Sequence, residues 1–424
     1  MIAALVPIFF VLLLFGLPIF ASLAFAVSLA LKGFGTIDPL VVPMRMFSGM
    51  NNFSLMSIPF FILAAELMRI GGLSDRLIGL ARALIGWMPG GMAAATVLSC
   101  LFFGSISGSS PATVIAIGSI MYPALVAAGY NKYFSIGLIT TAGTLGPIVP
   151  PSIALIIYGS VTGSSVGKLF AAGILPAVLI ATLLIVYCCW YAMAKRYPRE
   201  PFPTLGEIWD ALRRSLWGLG LPVVLLGGIY TGLFTPTESA AAACLYGWFV
   251  GAVIYRTISI SQSLTILRNT GVLSGTLLLI TAGASAFSWI LASTGAPTKL
   301  ATEVLSGTNS PIVILMLFNA IMLVAGAFLD SASAIIVLAP LMQPIAAQVG
   351  VDAIHFGIIT LVNLSIGMLT PPVGLNLFVA MGIAKMSLFE VFKAALPTIL
   401  LMFLALIAIT YVPWFSTAIP SLLY

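Results

Sequence analysis

Charge is scarce in this sequence. Asp, Glu, Lys and Arg together make up 7% of 424 residues, and histidine occurs once, at His355. One histidine cannot build a metal site or a proton relay by itself. Opening an apolar run, it is expected at the membrane interface. The four cysteines, Cys100, Cys188, Cys189 and Cys244, have no metal-ligand spacing and read as small apolar helix residues. No phosphate-cradling Gly-x-x-x-x-Gly-Lys run occurs, so direct ATP drive is unsupported. Gly104-Ser-Ile-Ser-Gly108 places Ile106 where a nucleophile elbow needs serine, and no histidine is near to act as base. The net charge of +6 forms no basic cluster with interleaved aromatics, which argues against nucleic acid. No cation precedes the first apolar run, at odds with a cleaved signal peptide.

Apolar residues, by contrast, are abundant. The chain is 61% hydrophobic with a mean hydropathy of +1.18. A soluble chain cannot hide that much apolar surface. Apolar runs of roughly 18 to 25 residues recur, the length that spanning helices need. The expected fold is therefore an all-α polytopic membrane protein with about ten spans and two re-entrant helical hairpins.

An internal duplication organises the chain. A fixed offset of 221 residues carries Ser110 onto Ser331, Pro123 onto Pro344, Gly129 onto Gly350, Gly146 onto Gly367 and Pro150-Pro151 onto Pro371-Pro372. The first repeat is assigned to residues 1–194, with scaffold helices in 1–68 and a hairpin and broken helix in 88–158. A linker occupies 195–216. The second repeat takes 217–424, with scaffold helices in 217–270 and its own hairpin and broken helix in 311–382.

Residues 3–31 carry a break at Gly16-Leu-Pro18, and 32–52 read as an interfacial arm. The linker's apolar stripe of Ile208, Trp209, Leu212 and Leu216 predicts a segment lying flat on the membrane. An arm at 256–270, a separate span at 271–292 and a loop at 293–310 follow. The hairpin tips fall at Gly104–Pro111 and near Asp330–Ser333. Gly143–Pro151 and Gly367–Pro372 should unwind the helices behind them, because proline removes a donor and clashes with the preceding turn. With the linker cytoplasmic, 13 of the 17 Lys and Arg residues fall on that side. The two repeats are then inverted, and both termini are external.

Polar backbone at such depth must be buried in protein or line a wet cavity. Helix C-termini there offer carbonyls to a small hard cation, and N-termini offer amides to an anion. Glycine and serine in membrane helices also serve close packing. Packing alone does not call for paired proline-rich breaks at one offset. Among the acids, Asp330 reads as a sodium-binding or gating residue, or as a helix cap. Glu66 reads as a local partner of Arg69. Glu238, just after Pro236, reads as a cap or a substrate or partner contact.

The runs Gly104-Ser-Ile-Ser-Gly-Ser-Ser-Pro-Ala-Thr113, Gly143-Thr-Leu-Gly-Pro-Ile-Val-Pro-Pro-Ser152, Thr235-Pro-Thr-Glu-Ser-Ala-Ala241 and Leu369-Thr-Pro-Pro-Val-Gly-Leu-Asn376 occur in order along the chain. Together they resemble the large membrane subunit of TRAP (tripartite ATP-independent periplasmic) transporters. The resemblance implies a bacterial inner-membrane protein that works with a small four-helix membrane subunit and a periplasmic substrate-binding protein. It implies sodium-driven import of organic acids, of the C4-dicarboxylate or sialic acid class, by an elevator motion of a transport domain against a scaffold. Carried onto this sequence, sodium would be held by Ser107, Gly108, Ser109, Ser110, Gly143, Thr144 and Gly146 in the first half. In the second half it would be held by Asp330, Ser331, Asn363, Ser365, Gly367 and Thr370. Thr113, Pro147, Ser333 and Asn376 are assigned to the substrate. No enzymatic activity and no organic cofactor are expected. A self-sufficient sodium/carboxylate symporter and a passive anion channel are the alternative readings.

Overall fold

The computed structural model describes residues 2–34, 38–51, 53–197, 199–295 and 310–424, with Lys299, Thr302 and Gly307. Most of the loop expected at 293–310 lies outside the described residues, as do 35–37 and 52 of the expected arm and position 198 of the linker. Regular structure among the described residues is all helical.

The chain begins with α1 (Ile2–Leu14) and α2 (Ile19–Phe34), divided at Gly16-Leu-Pro18 where the sequence interrupts itself. Then come α3 (Val41–Met50), α4 (Ser57–Ile70) and α5 (Leu73–Ile85). Helices α4 and α5 meet at 73°, across a glycine pair whose second member, Gly72, sits at φ +73°. The first hairpin is α6 (Gly91–Ser107) and α7 (Ser110–Ala127). The broken helix behind it is α8 (Lys132–Ala142), α9 (Leu145–Ile148) and α10 (Ile153–Thr162), followed by the long α11 (Val166–Lys195).

Three helices follow: α12 (Leu205–Tyr230), α13 (Pro236–Phe249, with a π turn at Val250–Ile254) and α14 (Ile260–Ser293). The second hairpin is α15 (Pro311–Phe328) and α16 (Ser331–Gln348). Its broken helix is α17 (Ala353–Gly367) and α18 (Leu375–Ala384), and α19 (Leu388–Tyr411) and α20 (Trp414–Leu423) close the chain. Among the described residues, eight helices are long and apolar enough to cross a membrane, or ten when each bent pair counts as one span.

The 221-residue offset is visible in the backbone. It carries α7 onto α16 end to end. It also carries the Asn131 cap of α8 onto the Asp352 cap of α17, each side chain accepting from two backbone amides of the first turn. Gly129 and Gly350, before those caps, both take positive φ.

Two expected boundaries are corrected. The linker does not carry a separate surface helix. A Thr204–Glu207 capping box starts α12, which runs unbroken through Ile208, Trp209, Leu212 and Leu216 into the span. Likewise, from Ile260 onward the expected arm at 256–270 and the span at 271–292 are a single helix, opened by a Ser259–Gln262 capping box. Gly271 alone does not stop it, since one interior glycine costs only about 1 kcal/mol. At 34 residues α14 is about 51 Å long, well beyond the hydrocarbon core, so it tilts or projects.

Helix α14 lies along α2, α3 and α4, α13 packs on α4, and α12 on α5. Each hairpin packs on the first part of its own broken helix. The second parts are exchanged: α10 lies on α16, and α18 lies on α7 and α8.

Candidate transport site

At the first tip, Ser107 ends α6, Gly108 turns the chain at φ +57°, and extended Ser109 precedes the Ser110-Pro111 start of α7. A Cβ on Gly108 would also stand 2.8 Å from the Pro151 carbonyl oxygen. The hydroxyls of Ser107 and Thr113 share a 2.9 Å hydrogen bond, and Thr113 donates to the Ser109 carbonyl at 2.8 Å. The tip rests on the break behind it, backbone against backbone. A Cβ on Gly146 would lie 2.5 Å from the Ser109 carbonyl oxygen and 2.6 Å from Thr113 Oγ1. Gly143 and Thr144 are part of the same break, with Thr144 donating to the Thr141 carbonyl at 2.6 Å.

The second tip reaches a similar shape with different residues. Leu329 is extended where Gly108 was left-handed, and Asp330 caps α16. The Asp330 carboxylate accepts from the amides of Ala332 (3.1 Å) and Ser333 (3.3 Å), and also from the Ser333 hydroxyl. Ser331 donates to Met368 Sδ at 3.2 Å. Gly367 meets Gly326 as Gly146 meets Gly104; a Cβ on Gly367 would lie 2.5 Å from Gly326 Cα. Beyond the break, the amides of Val373 and Gly374 donate to the Ala327 carbonyl.

The two tips meet at one cavity of about 150 Å³. Gly108, Ser109, Ser110 and Pro111 line it from one hairpin, and Asp330, Ser331 and Ala332 from the other. Pro147 and Met368, equivalent across the offset, and Leu277 of α14 complete much of the wall. The N-termini of α7 and α16 therefore open into the same space, each with the positive end of its dipole, and at α16 the Asp330 carboxylate already takes the amides of Ala332 and Ser333.

Of the residues assigned to the substrate, Pro147 lines this cavity. Thr113, Ser333 and Asn376 stand behind its wall, bonded to the tips. Asn376, on the exchanged α18, donates to Ser110 Oγ at 2.6 Å and to the Thr140 carbonyl at 3.4 Å. Its Oδ1 is buried without a partner. The same holds for Asn363 Oδ1, whose amide donates to Asn319 at 2.7 Å. Ser365 donates to the Leu361 carbonyl of its own helix, and Thr370, in the break, donates back to the Ile366 carbonyl, which leaves oxygen lone pairs available.

Among the described residues no three His, Cys, Asp or Glu side chains gather as metal ligands. Apart from the Asp330 carboxylate, the donors present are neutral hydroxyl, amide and carbonyl oxygens, and this oxygen set suits a hard alkali cation far better than a transition metal. Asn319, missed in the sequence, was detectable as the lone amide in the apolar arm Pro311–Phe328.

Two other polar residues are settled. Glu238 closes a capping box with Thr235 at the start of α13. His355 is buried within the protein rather than exposed at its surface, bonded to the Ser416 hydroxyl and the Thr410 carbonyl, because α20 folds back over it.

The model of the tripartite ATP-independent periplasmic transporter DctM component matches residues 6–415. The chain belongs to the DctM family. DctM-family relatives include the C4-dicarboxylate TRAP transporter large permease protein of Vibrio cholerae, 42% identical over 96% of this chain and 95% of that protein. The sialic acid TRAP transporter large permease protein of the same organism is 33% identical over 97% and 96%. The isethionate TRAP transporter permease protein DctMQ of Oleidesulfovibrio alaskensis is 40% identical over 95% of this chain and 63% of its own length. The crystal structure of the YdaH transporter of Alcanivorax borkumensis shares the fold, with a TM-score of 0.63 at 16% identity over 90% of this chain and 89% of that one. As a DctM-family member the chain is a multi-pass transporter component, and these relatives are named as transporters and permeases rather than enzymes.

Proposed function

We propose that this chain is the membrane-embedded transport subunit of a sodium-coupled importer of organic acids in the bacterial inner membrane. One observation carries the reading: two helix N-termini, related by the internal duplication, open into a single cavity between glycine-packed breaks. Amide donors and hydroxyls there suit a carboxylate substrate. The neutral oxygens behind the tips, including the unpartnered Asn363 and Asn376 carbonyls, suit sodium. The C4-dicarboxylate and sialic acid relatives support the organic-acid class.

The partners are a small four-helix membrane subunit and a periplasmic substrate-binding protein. The fused DctMQ relative, longer than this chain, supports the first. The hairpins, broken helices, α11 and α19 form the moving transport domain. Helices α1–α5 and α12–α14 form the scaffold, against which the domain travels as an elevator.

The test is uptake of labelled organic acids into proteoliposomes, with and without an inward sodium gradient, small subunit and binding protein. Uptake requiring all three establishes the function. Uptake by this chain alone with sodium favours a self-sufficient symporter, and sodium-independent equilibration overturns the coupled mechanism in favour of a channel.

A further inference from the structure

A second cavity, of about 180 Å³, lies between α4 and the first tip. Ser107 and Ser109 line one side, and Glu66 and Arg69 the other. It shares Ser109, Ile153 and Leu277 with the cavity between the tips, so the two adjoin. Ile62, Ala65, Glu66 and Arg69 follow helical spacing on α4, which turns both charges toward the hairpin.

Among the residues lining the two cavities, the charged ones are Glu66, Arg69 and Asp330. Asp330 is engaged in capping α16. Glu66 and Arg69 form a two-point pair, with Nε–Oε2 at 2.8 Å and Nη2–Oε1 at 2.6 Å. The Arg69 side chain is 43% exposed and that of Glu66 is 19% exposed, so Arg69 is the more accessible partner.

An anion moving from the tips along α4 meets Glu66, whose charge would repel it if unpaired. Arg69 cancels that charge. The planar guanidinium fork also accepts any carboxylate in the geometry it now offers Glu66. While the substrate's carboxylate holds the fork, the displaced Glu66 carboxylate stays beside it and repels it, which favours release.

We infer that Arg69 is a carboxylate-contacting residue on the substrate's path, and that Glu66 is the competing carboxylate that keeps Arg69 from trapping the substrate. This rests on the organic-acid reading above and deepens it: specificity for carboxylates is set on α4 as well as at the tips.

Uptake of radiolabelled succinate and N-acetylneuraminate into proteoliposomes, with partners and sodium gradient, tests it. Arg69→Gln leaves Glu66 unpaired and should lower uptake efficiency about tenfold or more. Glu66→Gln frees the fork, so KM should fall about threefold while Vmax also falls, the pattern of a substrate held too long. The double variant removes the repulsion of Glu66 but also the fork, so it should recover only part of the Arg69→Gln loss, and full recovery would show that Arg69 merely neutralises Glu66. Arg69→Lys, which keeps charge without the fork, should fall between wild type and Arg69→Gln.

Wild-type uptake in Arg69→Gln overturns the inference. So does an equal loss in both single variants with unchanged KM and lowered thermal stability, the signature of a structural brace. Failure of the wild type to take up either acid removes the functional reading and this inference together, whereas failure in the variants alone removes only the inference.

Discussion

The two hairpin tips are copies, yet they solve the same local problem differently. The first reverses direction through a left-handed glycine, Gly108, and leaves the N-cap position to Ser109, whose side chain makes no capping bond. The second uses extended Leu329 and a carboxylate, Asp330, that takes two backbone amides and a hydroxyl. What the repeats share is close backbone approach: Gly146 on the first tip and Gly367 on Gly326. The difference teaches that the duplication holds the shape of the breaks and leaves the charge at each tip free to diverge. One tip is neutral and the other anionic, which gives the cavity a polarity that a symmetric pair would lack.

The largest effect should come from breaking what the tips have in common. Gly146→Ala and Gly367→Ala each place a Cβ about 2.5 Å from backbone, so each should reduce sodium-driven uptake to background and cost about 1–3 kcal/mol of stability. Uptake assays paired with thermal melts check both, and full uptake by either variant would mean that the close approach is dispensable. Next comes the difference itself. Asn caps a helix about as well as Asp, so Asp330→Asn should keep the fold and raise the sodium concentration for half-maximal uptake about tenfold. Ser109→Asp makes the tips alike and should raise substrate KM about tenfold through like-charge repulsion. An unchanged KM would show that the neutral first tip is not needed by the anion.

A smaller effect is expected from the exchanged helix. Asn376→Leu removes the Ser110 contact and the unpartnered oxygen, and should weaken sodium-dependent thermal stabilisation about threefold in apparent affinity. The smallest concerns the equivalent caps. Asn131→Ala and Asp352→Ala should each cost about 1 kcal/mol in a melt, by nearly equal amounts, with uptake otherwise intact. Unequal costs would show that the halves differ in local stability as well as in charge.

Much of this was legible because proline and glycine act locally. Gly16-Leu-Pro18, the two tips and the two Pro-Pro breaks all fall where the sequence placed them. Helix continuity was harder to read. Polar residues between 256 and 270 resemble an arm, yet nothing after the Ser259 cap stops a helix, and α14 runs straight on from Ile260. His355 misled for another reason. Its partners, Ser416 and the Thr410 carbonyl, are 61 and 55 residues away, so burial depended on a helix whose position its own segment does not specify. The tip and break residues were named from sequence, but their shared cavity, its Leu277 wall and the Asn376–Ser110 link are properties of tertiary packing.

That link has a consequence for synthesis. Asn376 and Ser110 are 266 residues apart, and α18 is the helix that covers α7. A ribosome adding about 20 residues per second needs roughly 13 s to make the intervening chain. Throughout that interval the first hairpin sits in the bilayer with one face lacking its eventual neighbour. The face must be held by lipid or by the insertion machinery until the last eighth of the protein arrives. Truncations that end before α18 should therefore leave a first repeat that is inserted but open to proteolysis, however complete its own helices are.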